Sequence, residues 1–194
     1  ALAAVELARE QVAGLLPPGG RVIFTSGATE AINQALRCSQ RRKPAISAIE
    51  HAAVFDTAHW AGAVQVLPVD ADGLVDGEAE FAPGTDLVAV MQVNNEIGTV
   101  QPVERLAERA HAAGALFLCD AAQGAGKLPP MQRADLIALS AHKLYGPKGI
   151  GALWVRDGVA IDPLIHGGGQ ESGLRSGTLS PALCAGFGAA AALA

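Results

Sequence analysis

Aromatic residues and cysteines are scarce in this sequence. The first shortage limits the composition of the core, and the second argues against metal and disulfide sites. Aromatic residues make up only 4% of the 194 positions although half of the positions are hydrophobic, so we expect a core of Ala, Val, Leu and Ile. The three cysteines, Cys38, Cys119 and Cys184, have neither metal-ligand spacing nor the even number of a disulfide set. We therefore expect no metal site, a reducing cytoplasmic setting, and buried, unreactive thiols.

Long apolar runs and broad basic surfaces are also absent. No stretch is apolar over the roughly 20 residues that a membrane helix needs, and residues 1–4 lack the basic region of a secretory signal. The net charge of -5 argues against a nucleic-acid partner that binds through a basic surface. We expect neither a membrane nor a nucleic acid among the partners.

Short apolar runs alternate with segments of helical periodicity along the whole chain. The predicted strands are 21–25, 45–49, 64–69, 86–93, 115–119, 135–140 and 149–155. The predicted helices are 2–16, 28–38, 52–62, 103–113 and 181–193. This alternation predicts one three-layer α/β domain over 1–194, with a mostly parallel seven-stranded sheet and helices on both faces.

Polar clusters follow several of the predicted strands. They occupy residues 25–29, 94–96, 120–123 and 140–143. Ligands of open α/β sheets bind at the carboxyl ends of the strands, so these clusters are the candidate functional site.

The first cluster, Ser26-Gly27-Ala28-Thr29, opens a predicted helix. The free backbone N–H groups of a helix N-terminus favour a phosphate group, although an ordinary N-cap by Ser26 explains the cluster as well. No G-x-G-x-x-G motif follows a strand, and Gly126-Lys127 lacks the remainder of a phosphate-binding P-loop.

Three further residues suggest the chemistry. Asp120 follows an apolar strand and can hold a protonated ring nitrogen, as pyridoxal 5′-phosphate (PLP) requires, or it is only a turn residue. Among four lysines, only Lys143 directly follows an apolar strand, where a partly desolvated amine could act as a nucleophile; otherwise it is a surface lysine. His51 starts a helix, where it either stacks on a cofactor ring or caps the helix. A phosphate cradle, a ring partner, a carboxylate and a lysine form the set that PLP needs.

The motifs resemble those of the cysteine desulfurases of the NifS/IscS type, in the class V aminotransferase family of PLP enzymes. The resemblance rests on residues 24–31 (FTSGATEA), 50–51 (EH), 93–98 (VNNEIG), 120–123 (DAAQ), 140–149 (SAHKLYGPKG), 166–171 (HGGGQE) and 175–178 (RSGT). They run in family order from about residue 20 to 180. The resemblance implies the large, cofactor-binding domain of fold type I.

The resemblance also implies a role for each residue at the cofactor ring. Lys143 would carry PLP as a Schiff base, and His51 would stack on the pyridine ring. Asp120 would pair with the ring nitrogen and Gln123 with the phenolic oxygen. Asn95 would lie near that oxygen or near the substrate carboxylate.

The phosphate would be held by residues of two strand-end loops, Ala28, Thr29, Ser140 and His142. Thr178 would reach the phosphate of the partner subunit in a homodimer. The implied reaction takes sulfur from L-cysteine and gives alanine and a persulfide for iron–sulfur or thio-cofactor assembly, with a sulfur-acceptor or scaffold protein as a further partner.

The sequence also departs from the family. Members are about twice as long and carry an N-terminal segment with an Asn-Ala-Ala-Thr-type motif. They also have a small C-terminal domain that supplies the persulfide-forming cysteine and a substrate-binding arginine. We expect these 194 residues to lack both segments. Two alternatives stay open: another class V enzyme, such as a selenocysteine lyase or an aminotransferase, and a non-catalytic PLP-binding or dimerisation module.

Overall fold

The computed structural model describes all 194 residues and contains one seven-stranded sheet. The strands are Gly20–Thr25 (β1), Pro44–Ser47 (β2), Gln65–Leu67 (β3), Leu87–Met91 (β4), Leu116–Asp120 (β5), Leu136–Ser140 (β6) and Gly151–Arg156 (β7). The helices are Leu2–Ala13 (α1), Ala28–Cys38 (α2), Ala52–Ala61 (α3), Val103–Ala112 (α4) and Pro181–Leu193 (α5).

The strands lie in the order β1-β7-β6-β5-β4-β2-β3. Only β7 is antiparallel to its neighbours, β1 and β6, so the other six strands share one direction. Their carboxyl ends consequently meet at one edge of the sheet, as the polar clusters predict.

Helices cover both faces of the sheet, which confirms the predicted three-layer arrangement. Along β5, Phe117 and Cys119 pack towards α1, α4 and α5, whereas Leu118 packs towards α2 and α3. Successive strand side chains point to opposite faces, and because both faces are covered the strands are apolar throughout instead of alternating with polar residues.

Several predicted boundaries are wrong because the apolar sequence continues beyond the last residues whose backbone is hydrogen-bonded in the strand or helix. The predicted strands 45–49 and 86–93 end at Ser47 and Met91, since their last residue pairs are Ser47 with Leu67 of β3 and Met91 with Asp120 of β5. The predicted helix 2–16 ends at Ala13, where the chain tightens into a turn: the N–H groups of Leu15 and Leu16 bond to carbonyls three residues back.

Two short helical segments, Ala141–Leu144 and Gln170–Gly173, were not predicted. The first is a single 3-10 turn, and the second is interrupted by the left-handed residues Glu171 and Ser172. Segments of four residues are too short to show a helical period. As for membrane association, none of the helices combines the length and the apolar character that crossing a bilayer would require.

The loop after β1 lies unusually close to the start of β7. Thr25 pairs with Gly151, and a Cβ atom on Gly151 would lie 2.6 Å from the Cα atom of Gly27 and closer still to the Leu139 carbonyl oxygen. Both obstacles are backbone atoms, so no side-chain movement could relieve the overlap. The missing side chain of Gly151 thus allows the 25–29 loop to reach the sheet edge.

We predict that Gly151→Ala lowers the free energy of unfolding by about 1–3 kcal/mol, the usual cost of overpacking. Gly169→Ala is the matched control, because the added Cβ would meet nothing within 4 Å, and it should change stability by no more than about 0.5 kcal/mol. Urea denaturation followed by circular dichroism measures both. Equal stabilities of the two variants would contradict the packing argument.

Candidate active site

A cavity of about 450 Å³ opens at the carboxyl edge of the sheet. Nine of the ten predicted site residues line it, namely Ala28, Thr29, His51, Asn95, Asp120, Gln123, Ser140, His142 and Lys143. The exception is Thr178, which lines a different cavity with Arg9 and Glu171. Residues from five separate segments thus meet around one space of a size typical of cofactor sites.

The N-terminus of α2 forms one wall of the cavity. Gly27 is the N-cap residue and no side chain caps the helix, so the Ser26 N-cap offered as an alternative is wrong. The first N–H groups of a helix have no partner within the helix, and here they face the cavity through Ala28 and Thr29. This wall can bind an anion through backbone N–H groups and the helix dipole.

The loop after β6 forms the opposite wall. Ser140 Oγ and His142 Nδ1 lie 3.0 Å apart and are hydrogen-bonded. Lys143 lies in the 3-10 turn and is exposed at the cavity edge, so the partial desolvation expected from the sequence is not seen. Lys127 Nζ donates to the backbone oxygens of Lys143 at 3.0 Å and Gln123 at 3.2 Å, which ties the two loops together.

His51 both caps a helix and lines the cavity, so its two interpretations are compatible. Its Nδ1 accepts the Ala53 N–H at 3.0 Å at the start of α3. An accepting Nδ1 leaves the proton of the neutral ring on Nε2. The cap therefore orients the imidazole ring and selects its tautomer.

Asp120 is the only carboxylate that lines the cavity. It is buried, and its Oδ1 accepts the Ala122 N–H at 2.9 Å. Burial raises the pKa of Asp120, while the Ala122 N–H and the nearby His51 and Lys143 side chains oppose that rise. A buried carboxyl group at this position can hold a protonated ring nitrogen.

Behind Asp120 lies Glu50, a residue to which the sequence analysis assigned no role. Its Oε1 accepts hydrogen bonds from Ser47 Oγ and from the Met91 N–H. Met91 lies beyond the last residue pair between β2 and β4, so its N–H has no partner in β2. Glu50 Oε2 is buried without a partner. Burial, with a smaller effect from Asp120, raises the pKa of Glu50 to about 8. Glu50 is therefore mostly neutral at pH 7, and Asp120 is the carboxyl group that faces the cavity.

None of the three cysteines lines this cavity. Cys119 and Cys184 are buried as predicted, but Cys38 is only half-buried because it is the last residue of α2. Burial raises the pKa of all three thiols, which disfavours the reactive thiolate.

The whole chain, residues 1–194, matches the family described as aminotransferase class-V. The chain belongs to that family. Curated relatives support the resemblance to one branch of it. A cysteine desulfurase of Cereibacter sphaeroides is 48% identical over 89% of this chain and 49% of its own length. The cysteine desulfurase IscS of Shewanella piezotolerans is 42% identical over 98% of this chain and 52% of its own length.

Solved structures of this family share the fold. A NifS-like protein superposes with a TM-score of 0.92 at 39% identity, over 99% of this chain and 58% of that one. SspA in complex with cysteine gives 0.92 at 40% identity, over 98% of this chain and 60% of that one. The chain spans about half the length of the curated relatives it matches. The comparisons confirm the predicted resemblance to cysteine desulfurases of the NifS/IscS type.

Titration of Glu50 should appear in the pH dependence of stability. The folded state holds the Glu50 proton up to about pH 8, whereas the unfolded chain releases it near pH 4.5, so the wild type loses stability as the pH rises between these values. Glu50→Gln keeps the Oε1 acceptor and cannot ionise. We predict that the variant gains roughly 4 kcal/mol relative to the wild type between pH 5 and pH 8.5.

Urea denaturation at several pH values measures this difference. Glu10→Gln is the matched control, because Glu10 is exposed on α1, and its pH profile should follow that of the wild type. Parallel profiles for Glu50→Gln and the wild type would mean that Glu50 is ionised throughout.

Proposed function

We propose that this cavity binds PLP and that the chain is the cofactor-binding part of a cysteine desulfurase. The observation that carries the proposal is the meeting of Lys143, buried Asp120 and the uncapped N-terminus of α2 in one cavity. These groups fit an aldehyde, a pyridine nitrogen and a phosphate, the three functional parts of PLP that a protein must hold.

The phosphate end is held by two loops. The backbone N–H groups of Ala28 and Thr29 would bind the phosphate oxygens, with Ser140 and His142 on the opposite side. The hydrogen bond between Ser140 and His142 keeps both side chains in place for this contact. Thr178 lies outside this cavity, which is compatible with a role at the partner subunit's phosphate in a homodimer.

The ring end is held from below and from the sides. Asp120 would pair with the ring nitrogen, and His51 would stack on the ring in the orientation that its helix cap selects. Gln123 would contact the phenolic oxygen, and Asn95, which lines the same cavity, would contact that oxygen or the substrate carboxylate. Glu50, being neutral, would not compete with Asp120 for the nitrogen.

Lys143 attaches the cofactor and moves protons. PLP, when bound, withdraws electrons from the substrate carbon and so weakens the bonds to it. The Lys143 Nζ amine, which would hold the cofactor as a Schiff base, would also carry a proton between substrate atoms. The two backbone hydrogen bonds of Lys127 would hold the Lys143 loop in place for this role.

The sulfur acceptor is a thiol that these 194 residues do not supply, since none of their cysteines lines the cavity. We propose L-cysteine as the substrate, alanine and a persulfide as products, a homodimer in the cytoplasm, and a sulfur-acceptor or scaffold protein as partner. The names of the relatives support this choice over other class V activities.

Lys143 can be tested directly. Protein supplied with PLP and then reduced with borohydride should carry the cofactor on Lys143. Lys148 also lines the cavity, but of the two lysines only Lys143 acts on the charge of Asp120. Peptide mapping by mass spectrometry identifies the site. Lys143→Ala, which retains Lys127 and Lys148, should give no stable adduct. Modification of Lys127 or Lys148 in the wild type would overturn the assignment.

The chain should bind the cofactor but turn over L-cysteine only slowly. A mobile thiolate of lowered pKa is needed to take the sulfur, and loss of substrate positioning alone costs orders of magnitude in rate. With PLP, L-cysteine and a reductant, we predict slow release of alanine and sulfide, unchanged in Cys38→Ser, Cys119→Ser and Cys184→Ser. Robust sulfide production that one of these substitutions abolishes would show that the chain contains its own acceptor.

A further inference from the structure

A buried ion pair lies next to the proposed phosphate site without lining it. Arg175, on the segment before α5, donates to Glu30 Oε1 at 2.8 Å and to Oε2 at 3.3 Å. Only 17% of the Arg175 side chain and 11% of the Glu30 side chain are exposed. Such forked contact with a carboxylate fixes geometry as well as charge.

Glu30 connects this pair to the phosphate-binding loop. It is the third residue of α2, and its Oε2 also accepts the Ser26 N–H at 2.8 Å. The Ser26 N–H donates to Glu30. This bond holds the 26–29 loop in the conformation that places Ala28 and Thr29 on the cavity wall. Although burial alone would raise it, hydrogen bonds from Arg175 and Ser26 hold the pKa of Glu30 below its usual value.

Without a cationic partner, the negative charge of Glu30 would weaken phosphate binding. A carboxylate in the first turn of α2 interacts well with the helix dipole, but it lies within one turn of the N–H groups that would bind a phosphate dianion. Like charges within one turn of each other in a partly buried setting repel more strongly than they would in water. Arg175 supplies that compensation.

The segment that carries Arg175 is anchored independently of Glu30. Glu171, whose side chain is only 2% exposed, accepts two hydrogen bonds from Arg9 and one from the Phe24 N–H of β1. Glu171 and Ser172 have φ values of 49° and 56°, a left-handed conformation that costs non-glycine residues energy. The Glu171 contacts oppose that cost, so the segment presents Arg175 to Glu30 already in position.

We propose that Arg175 is a positioning residue for phosphate binding, which pairs with Glu30, holds the 26–29 loop in its binding conformation and cancels the charge that would repel the phosphate. The proposal rests on the proposed function in assigning this end of the cavity to the phosphate of PLP. Arg175 would thus support phosphate binding without lining the cavity.

The experiment is a double-mutant cycle read with three ligands. Arg175→Gln, Glu30→Gln and the double variant are compared with the wild type for binding of PLP, inorganic phosphate and pyridoxal, which lacks the phosphate. Dissociation constants come from equilibrium dialysis, and circular dichroism verifies folding. Arg105→Gln is the matched control, because Arg105 forms an exposed ion pair with Glu78, and neither residue lines the cavity.

Arg175→Gln should weaken PLP and phosphate binding about tenfold or more, equivalent to about 1.4 kcal/mol, and leave pyridoxal within about twofold. Glu30→Gln should weaken binding less than Arg175→Gln, because it loses the forked contact with Arg175 but its amide oxygen can still accept the Ser26 N–H and leaves no carboxylate near the phosphate. The double variant should bind like Glu30→Gln and so recover part of the loss seen in Arg175→Gln, since no unpaired carboxylate remains. Arg105→Gln should bind all three ligands like the wild type.

Other outcomes overturn the inference in distinguishable ways. An equal loss for pyridoxal and PLP would mean that Arg175 has only a general structural role, and a double variant no better than Arg175→Gln would exclude the charge argument. Wild-type protein that binds inorganic phosphate but never attaches PLP would refute the proposed function, while the phosphate measurements on the variants still decide the role of Arg175. Wild-type protein that binds neither refutes both.

Discussion

The common direction of six strands is the constraint on which the site depends. Because β1, β4, β5 and β6 end at the same edge of the sheet, Thr25, Met91, Asp120 and Ser140 begin loops that share one space. The antiparallel strand β7 lies between β1 and β6, and Gly151 at its start lets the 25–29 loop approach the sheet. A bulkier residue there would push the anion-binding end of the cavity away from the lysine end.

Charge around the cavity is controlled by two different means. Glu50 is buried beside Asp120 with one oxygen unpartnered, so it keeps its proton and stays neutral. Glu30 is ionised but paired with Arg175. Asp120 is therefore the carboxyl group that lines the cavity, and the N-terminus of α2 has no uncompensated carboxylate beside it. The proposed cofactor, with a cationic ring nitrogen and an anionic phosphate, matches this distribution.

Sequence reasoning recovered most of the architecture but only part of the site. All seven strands and five helices were predicted, with errors where apolar runs continue beyond the last paired residue, as after Ser47 and Met91. Nine of ten predicted residues share the cavity. Glu50 lies within a recognised motif, but its neutral state follows from burial against β4 and β5, and burial cannot be read from neighbours in the chain. Cys38 was expected to be buried, and its place at the end of α2 exposes it in part.

The sequence by itself determined the fold class, the family and the kind of side chain offered at each strand end. These depend on local patterns: apolar runs, turn residues and motifs whose members are close along the chain. Only the tertiary structure decided which carboxyl groups carry charge and which residues act through others. Glu30 and Arg175 are 145 residues apart in sequence, and Arg9 and Glu171 are 162 apart. The energy of such pairs depends on distance and burial in the folded chain, which sequence spacing does not specify.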